Sequence, residues 1–180
     1  MKKPTPPDAV DRRLEIWAHE LPGLDLLTEG LVERIAKLAR YLERSMTETL
    51  AQFGLSYGEF RLLAALRKGG PPYQESPGRL AESLGLSASA MTNRLDRLER
   101  AGVVRRLPDP ADRRALKIEP TKDGWRLWEE IVAAQAEKET HIASALGDDD
   151  KRRLNDLLRP LLLSFEESAG PVPSSFRDEG

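Results

Sequence analysis

The residues of this chain whose types and spacing can do chemistry are cations and small hydrogen-bonding side chains, and they crowd into one stretch. Between Ser87 and Lys117 lie Arg94, Arg97, Arg100, Arg105, Arg106, Arg113, Arg114 and Lys117, against Asp96, Glu99, Asp109 and Asp112, a net charge of +4. The whole chain carries −2, so everything outside that stretch carries −6. A basic patch on an acidic body is the charge distribution of a phosphate-binding face. Interleaved with the cations are Ser87, Ser89, Thr92 and Asn93, whose hydroxyls and amide can bond both base edges and phosphates. This is chemistry of recognition. No P-loop, dinucleotide fingerprint, nucleophile elbow or paired-His motif is present, so no catalytic residue and no cofactor are expected. The absence of cysteine excludes disulfides, zinc–thiolate sites and thiol-based peroxide sensing. His19 and His141 lie far apart without ligand spacing, so no metal is expected either.

The elements that must position these groups follow from local signals. Ser76-Pro77 is an N-cap followed by Pro at the first helical position. A short helix with Leu80, Ala81 and Leu84 follows, and Gly85 supplies the turn. Ser87 caps a second helix, Ala88 to Ala101. At about 100° per residue, Met91, Leu95 and Leu98 form its buried stripe. Ser89, Asn93, Asp96, Arg97 and Arg100 fall opposite, with Thr92 on a flank. Arg94 stands about 60° from the centre of the stripe. At the edge of a core, such a cation needs a carboxylate, a carbonyl or an anionic ligand. Two β-prone runs follow, Val103 to Leu107 and Ala115 to Ile118, joined by a Pro- and charge-rich tip. This order is helix-turn-helix plus hairpin wing. Arginines at such a tip, here Arg113 and Arg114, can enter a minor groove, where narrow geometry concentrates negative potential. Asp112 is expected to brace a neighbouring arginine.

Around this unit the chain reads as long helices. Residues 1–23 form a polar, Pro-rich start and a short helix from Asp8 to Leu21 that carries Trp17. Leu24 to Phe53 is a long amphipathic helix with Leu27, Leu31, Ile35, Leu38, Leu42, Met46 and Leu50 at spacings of three and four. Ser56 and Glu59 form a capping box for Tyr57 to Lys68, which Gly69-Gly70-Pro71-Pro72 ends. Tyr73 to Ser76 is expected as a short strand against the wing. A helix from Thr121 to about Leu146 and a last one from Asp148 follow, then a loose tail from 169 to 180. The fold class is therefore mainly α with a small β-hairpin wing, an α+β arrangement. Residues 56–120 are the winged helix-turn-helix, and 24–55 with 121–168 form a helical dimerisation region. With a mean hydropathy of −0.51, the apolar residues are confined to stripes that long helices bury against a partner. No run of about 18 apolar residues exists, and the first ten residues lack the apolar core of a signal peptide. A cytoplasmic location and no membrane partner are expected.

The residues MTNRLDRLERAGVVRRLPDPADRRALKIEPTKDG, with the wing signature Asp112-Arg113-Arg114 seven residues before the helix start Thr121-Lys122-Asp123-Gly124, resemble the multiple-antibiotic-resistance regulator (MarR) family of winged-helix repressors. In element order the resemblance spans roughly Leu24 to Phe165. It implies a homodimer on a pseudo-palindromic double-stranded DNA operator. The terminal helices would pair the subunits, and a small ligand would lie between the dimer helices and the winged part. Within the family the chain is most similar to the PecS- and urate-responsive-type subgroup. The carriers are Trp17 on an extra N-terminal helix, Gly58-Glu59-Phe60, Pro71-Pro72-Tyr73, and Met91 to Glu99. There a Trp, an Asp and an Arg of the second helix contact an anionic purine. Trp17 and Arg94 match, but Arg61 stands where the Asp is expected, a permanent cation in place of an acceptor. The resemblance thus implies an effector, anionic aromatic or purine-like, against Trp17, Arg61 and Arg94. It implies DNA contacts by Ser87, Ser89, Thr92, Asn93, Arg97, Arg113 and Arg114. The expected function is a dimeric repressor released from its operator by that effector. The alternative is a winged-helix scaffold for protein or RNA that takes no effector.

Overall fold

Side-chain caps write most of the helix starts. Asp8 accepts from the Val10 and Asp11 amides and opens α1 (Ala9–Glu20). The Asp25 carboxylate accepts from Leu27 and Thr28 at the start of α2 (Leu26–Gln52). The Ser56–Glu59 capping box opens α3 (Tyr57–Lys68), and Ser76 with Pro77 opens α4 (Pro77–Leu84). Ser87 caps α5 (Ala88–Arg100), and Thr121 caps α6 (Lys122–Ile142). Each cap satisfies amides that the first turn leaves without a partner. A 3-10 turn (Ala143–Ala145) follows α6, and α7 (Asp148–Ala169) begins with three aspartates that complement its dipole. The structure, a computed structural model, describes residues 6–110, 112 and 115–169.

The chain divides into two compact units, Met1–Ser45 and Met46–Gly180. In the first, α1 is tied to the early part of α2. Arg34 donates to Asp8 at 2.9 Å and also bonds Asp11, while Arg13 pairs with Glu33 at 2.9 Å. Many α2 apolar residues stay exposed here, Leu27 at 85 % and Leu38 at 55 %.

In the second unit the core is formed by Leu62, Leu63 and Leu66 of α3, Leu80 of α4, and Met91, Leu95 and Leu98 of α5, closed by Ile118 and Ile131. Strands β1 (Val104–Pro108) and β2 (Leu116–Pro120) pair antiparallel, with Arg106 opposite Ile118. The expected strand near Tyr73 is reduced to a single bridge, Glu75 to Ile118. The β1 strand starts one residue later than its composition suggests. The Val103 carbonyl instead accepts from the Thr121 amide at 3.0 Å, which docks the start of α6 on the end of α5. Helix α6 stops at Ile142 rather than near Leu146. On its inner face the buried pair Thr49 and Gln135 share a 2.9 Å hydrogen bond. Helix α7 leaves Leu157, Leu162 and Phe165 more than half exposed.

Candidate nucleic-acid interface

The turn between α4 and α5 needs one residue in the left-handed region, and Gly85 takes it at φ 67°. The Leu86 amide then reaches back to the Ala81 carbonyl at 2.8 Å, which fixes the angle between the helices. With Met91, Leu95 and Leu98 buried at 1 % exposure, the opposite side of α5 is left to solvent. Ser89 and Asn93 lie there, Thr92 stands on its flank and Ser87 at its cap, and all four are exposed. The Ser87 hydroxyl accepts from the Ala90 amide at 3.2 Å and sits 3.1 Å from the Ser89 hydroxyl. Thr92 donates to the Ala88 carbonyl at 2.9 Å. These groups form a polar row along the first turns of a helix N-terminus, whose dipole favours phosphate.

The wing is braced from beneath by ion pairs. Arg106 on β1 binds Asp96 at 2.5 Å and also Glu99, so it ties the strand to α5. Arg105 and the Gln74 amide converge on Glu119 of β2. The Gln74 hydrogen bond and then Arg105 hold that carboxyl below its ordinary range, against the opposing effect of burial. Near the tip, the Asp109 amide donates to the Ala115 carbonyl at 3.0 Å, and Lys117 pairs with Asp109 at 3.5 Å. The Asp112 carbonyl accepts from Ala115 at 2.9 Å. Arg113 and Arg114 lie outside the described residues, so the bracing role expected of Asp112 toward them is not part of this geometry.

Arg97 departs from the simple helical-wheel picture. It is 57 % exposed, yet its Nε lies 2.9 Å from Glu59 and its Nη2 donates to the Gly54 carbonyl at 3.3 Å. Of the cations between Ser87 and Lys117, Arg97, Arg105, Arg106 and Lys117 therefore face carboxylates of the protein itself. Sequence reasoning missed these pairs. Only the capping box gave a sign of Glu59, and it carried no hint of a third partner.

The residues expected at an effector are distributed as follows. Trp17 is half-buried on α1, in the first unit. Arg61, half-buried on α3, lines a groove of about 680 Å³ with Lys68, Gln74, Arg79 and Leu84. Burial raises the pKa of the neighbouring Tyr57 phenol, and the Arg61 charge opposes that rise. Arg94 is not among the walls of this groove. It is half-buried on α5, with its guanidinium over Gly58, so close that a Cβ there would meet Cζ at 2.3 Å. Among the described residues no group of three His, Cys, Asp or Glu could hold a metal ion. No described helix is long and apolar enough to cross a membrane.

Comparison with known proteins places this geometry. Residues 55–116 match the model of the MarR family. The chain is 34% identical to the HTH-type transcriptional regulator PecS of Dickeya dadantii (strain 3937), over 79% of this chain and 86% of that protein. It is similar to the structure of wild-type apo MarR from E. coli, with 26% identity and a TM-score of 0.62 over 73% of this chain and 96% of that one. A mutant MarR from E. coli, solved in complex with operator DNA, shares the fold at 24% identity and a TM-score of 0.56, covering 82% of this chain and 98% of that one.

Proposed function

The chain belongs to the MarR family of transcriptional regulators and is not an enzyme, and from that premise we propose that it is a dimeric repressor released from a pseudo-palindromic operator by a small anionic aromatic or purine-like effector. The observation that carries the DNA part is the outer face of α5, where Ser87, Ser89, Thr92 and Asn93 stand exposed at a capped helix start beside a braced wing. In this reading α5 enters a major groove and its side chains bond base edges. Arg113 and Arg114 reach the flanking minor groove, with Asp112 holding them. Helices α2, α6 and α7 carry the dimerisation region. Exposed Leu27, Leu157 and Phe165 support this, because a lone chain would leave those stripes in water. Two-fold pairing would set the α5 helices roughly 34–36 Å apart, one turn of DNA. The protein would act in the cytoplasm.

The effector would meet Arg94, with Arg61 of the same unit as a further contact. It releases DNA only through unequal affinity for the bound and free conformations. The test begins with selection of duplexes from a random-sequence library by the wild-type protein. Arg113→Ala and Arg114→Ala should each weaken binding to the selected duplex about tenfold while the dimer stays folded. Wild-type affinity in both single variants would remove the wing from the interface. A thermal-shift screen of purines, phenolics and aromatic acids should find a stabilising anion whose effect fades in Arg94→Ala. A response unchanged in that variant would remove Arg94 from the effector site.

A further inference from the structure

The carboxylate of Glu59 belongs to a residue only 2% exposed and gathers three donors. The Ser56 amide lies at 2.7 Å, the Ser56 hydroxyl at 2.9 Å, and Arg97 Nε at 2.9 Å. The first belongs to the capping box of α3, the second is a further bond between the same two residues, and the third comes from α5. The same guanidinium spans to the Gly54 carbonyl at 3.3 Å. Gly54 follows the end of α2, and Glu59 sits in the first turn of α3. One arginine thus clasps both sides of the α2–α3 joint. One turn earlier on α5, the Arg94 guanidinium lies against Gly58 of the same joint. A buried carboxylate needs its partner, and the planar fork of arginine is the group that can serve two acceptors at once. With Nε and Nη2 engaged, Arg97 directs two of its nitrogens to the protein rather than to a phosphate.

We propose that Arg97 is a positioning residue: it sets the angle of α5 against the α2–α3 joint through Glu59, and Glu59, which DNA cannot touch, thereby determines operator affinity. The proposal rests on the reading of α5 as the DNA reader. It differs from a phosphate contact in a measurable way. A phosphate contact contributes about one unit to the slope of log K against log salt, whereas a positioning residue contributes none.

The experiment uses the full-length protein and the duplex enriched from a random-sequence library. Glu59→Gln keeps the capping box, since Gln serves there as Glu does, but removes the charge that holds Arg97. Arg97→Lys keeps the cation but loses the fork, at a half-exposed position that does not threaten the core. Each should lower affinity for the enriched duplex about tenfold, leave the salt slope unchanged, and leave binding to a scrambled duplex nearly as it was. The double variant should be no worse than either single one. Wild-type affinity in Arg97→Lys, together with a slope reduced by about one in Arg97→Met, would overturn the proposal in favour of a phosphate contact. Unchanged affinity in Glu59→Gln would overturn it too. Enrichment by the wild type, with variants equal to it, refutes this inference alone; a wild type that enriches no sequence refutes the DNA reading and this inference together.

Discussion

Substituting Gly124 by alanine tests how the winged unit is seated on the helices that follow it. A Cβ built on Gly124 would stand 2.0 Å from the Val103 carbonyl oxygen and 2.9 Å from its carbon. Non-bonded contacts settle at about 3.5 Å or more, so the start of α6 and the end of α5 must move apart by about 1.5 Å. The obstacle is backbone, held by the Thr121 amide at 3.0 Å and by the Thr121 hydroxyl on the Gly102 carbonyl at 2.6 Å, so it does not swing aside. Overpacking costs about 1–3 kcal/mol, and loosening the Thr121 hydrogen bond about 1 kcal/mol more. Alanine returns at most about 1 kcal/mol through helix propensity. The net loss is about 1–3 kcal/mol, which for a chain of this size lowers Tm by roughly 2–12 °C. Thermal unfolding followed by circular dichroism at fixed protein concentration measures it, because a dimer's Tm depends on concentration. Gly78 in α4 is the control. Its Cβ would meet nothing within 4 Å, so Gly78→Ala should stabilise by up to about 1 kcal/mol. A Gly124→Ala protein that melts at or above the wild type would refute the close docking of α6 on Val103.

Three further outcomes follow from the geometry. Gly58→Ala drives a Cβ into the Arg94 guanidinium, the far end of a flexible side chain. Stability should change by no more than about 1 kcal/mol, while the thermal shift given by an anionic effector is lost; a full shift would detach Arg94 from that response. The Arg67 guanidinium sits 5.3, 5.0 and 5.4 Å from the rings of Tyr73, Trp125 and Trp128. Arg67→Met should therefore lower the unfolding free energy by about 1–2 kcal/mol in denaturant titration, and an unmoved midpoint would leave these contacts without energetic weight. The hydrogen bond from Arg34 is the largest cause that lowers the Asp8 pKa from its ordinary 3.8 to about 2, with the Asp11 amide assisting. A carboxyl depressed in the folded state contributes fully above pH 3.8 and loses its contribution as pH falls through about 2. NMR titration should place Asp8 near 2 and return it toward 3.8 in Arg34→Met; a midpoint unmoved by that change would assign the depression to the helix cap.

The sequence alone determined the elements and their order, because the signals that start and stop them are local. Ser56, Ser87 and Thr121 bond amides within three residues of themselves, and Gly85 is needed wherever the chain must turn through the left-handed region. Apolar spacing likewise decided which side of α5 is buried, and with it the exposed row of Ser87, Ser89, Thr92 and Asn93. The partners of the charges were not legible. A charge count treats eight cations as one outward field, but Arg105 finds Glu119 across the hairpin, and Arg106 turns back to Asp96 and Glu99. A helical wheel gives the direction of a Cβ, whereas an arginine carries its charge several bonds further. Arg97 leaves α5 on the side the wheel assigns to DNA, and its guanidinium folds back onto Glu59 and Gly54. Only tertiary structure brings the α2–α3 joint within its reach, because that contact joins segments distant in sequence, which no local spacing encodes.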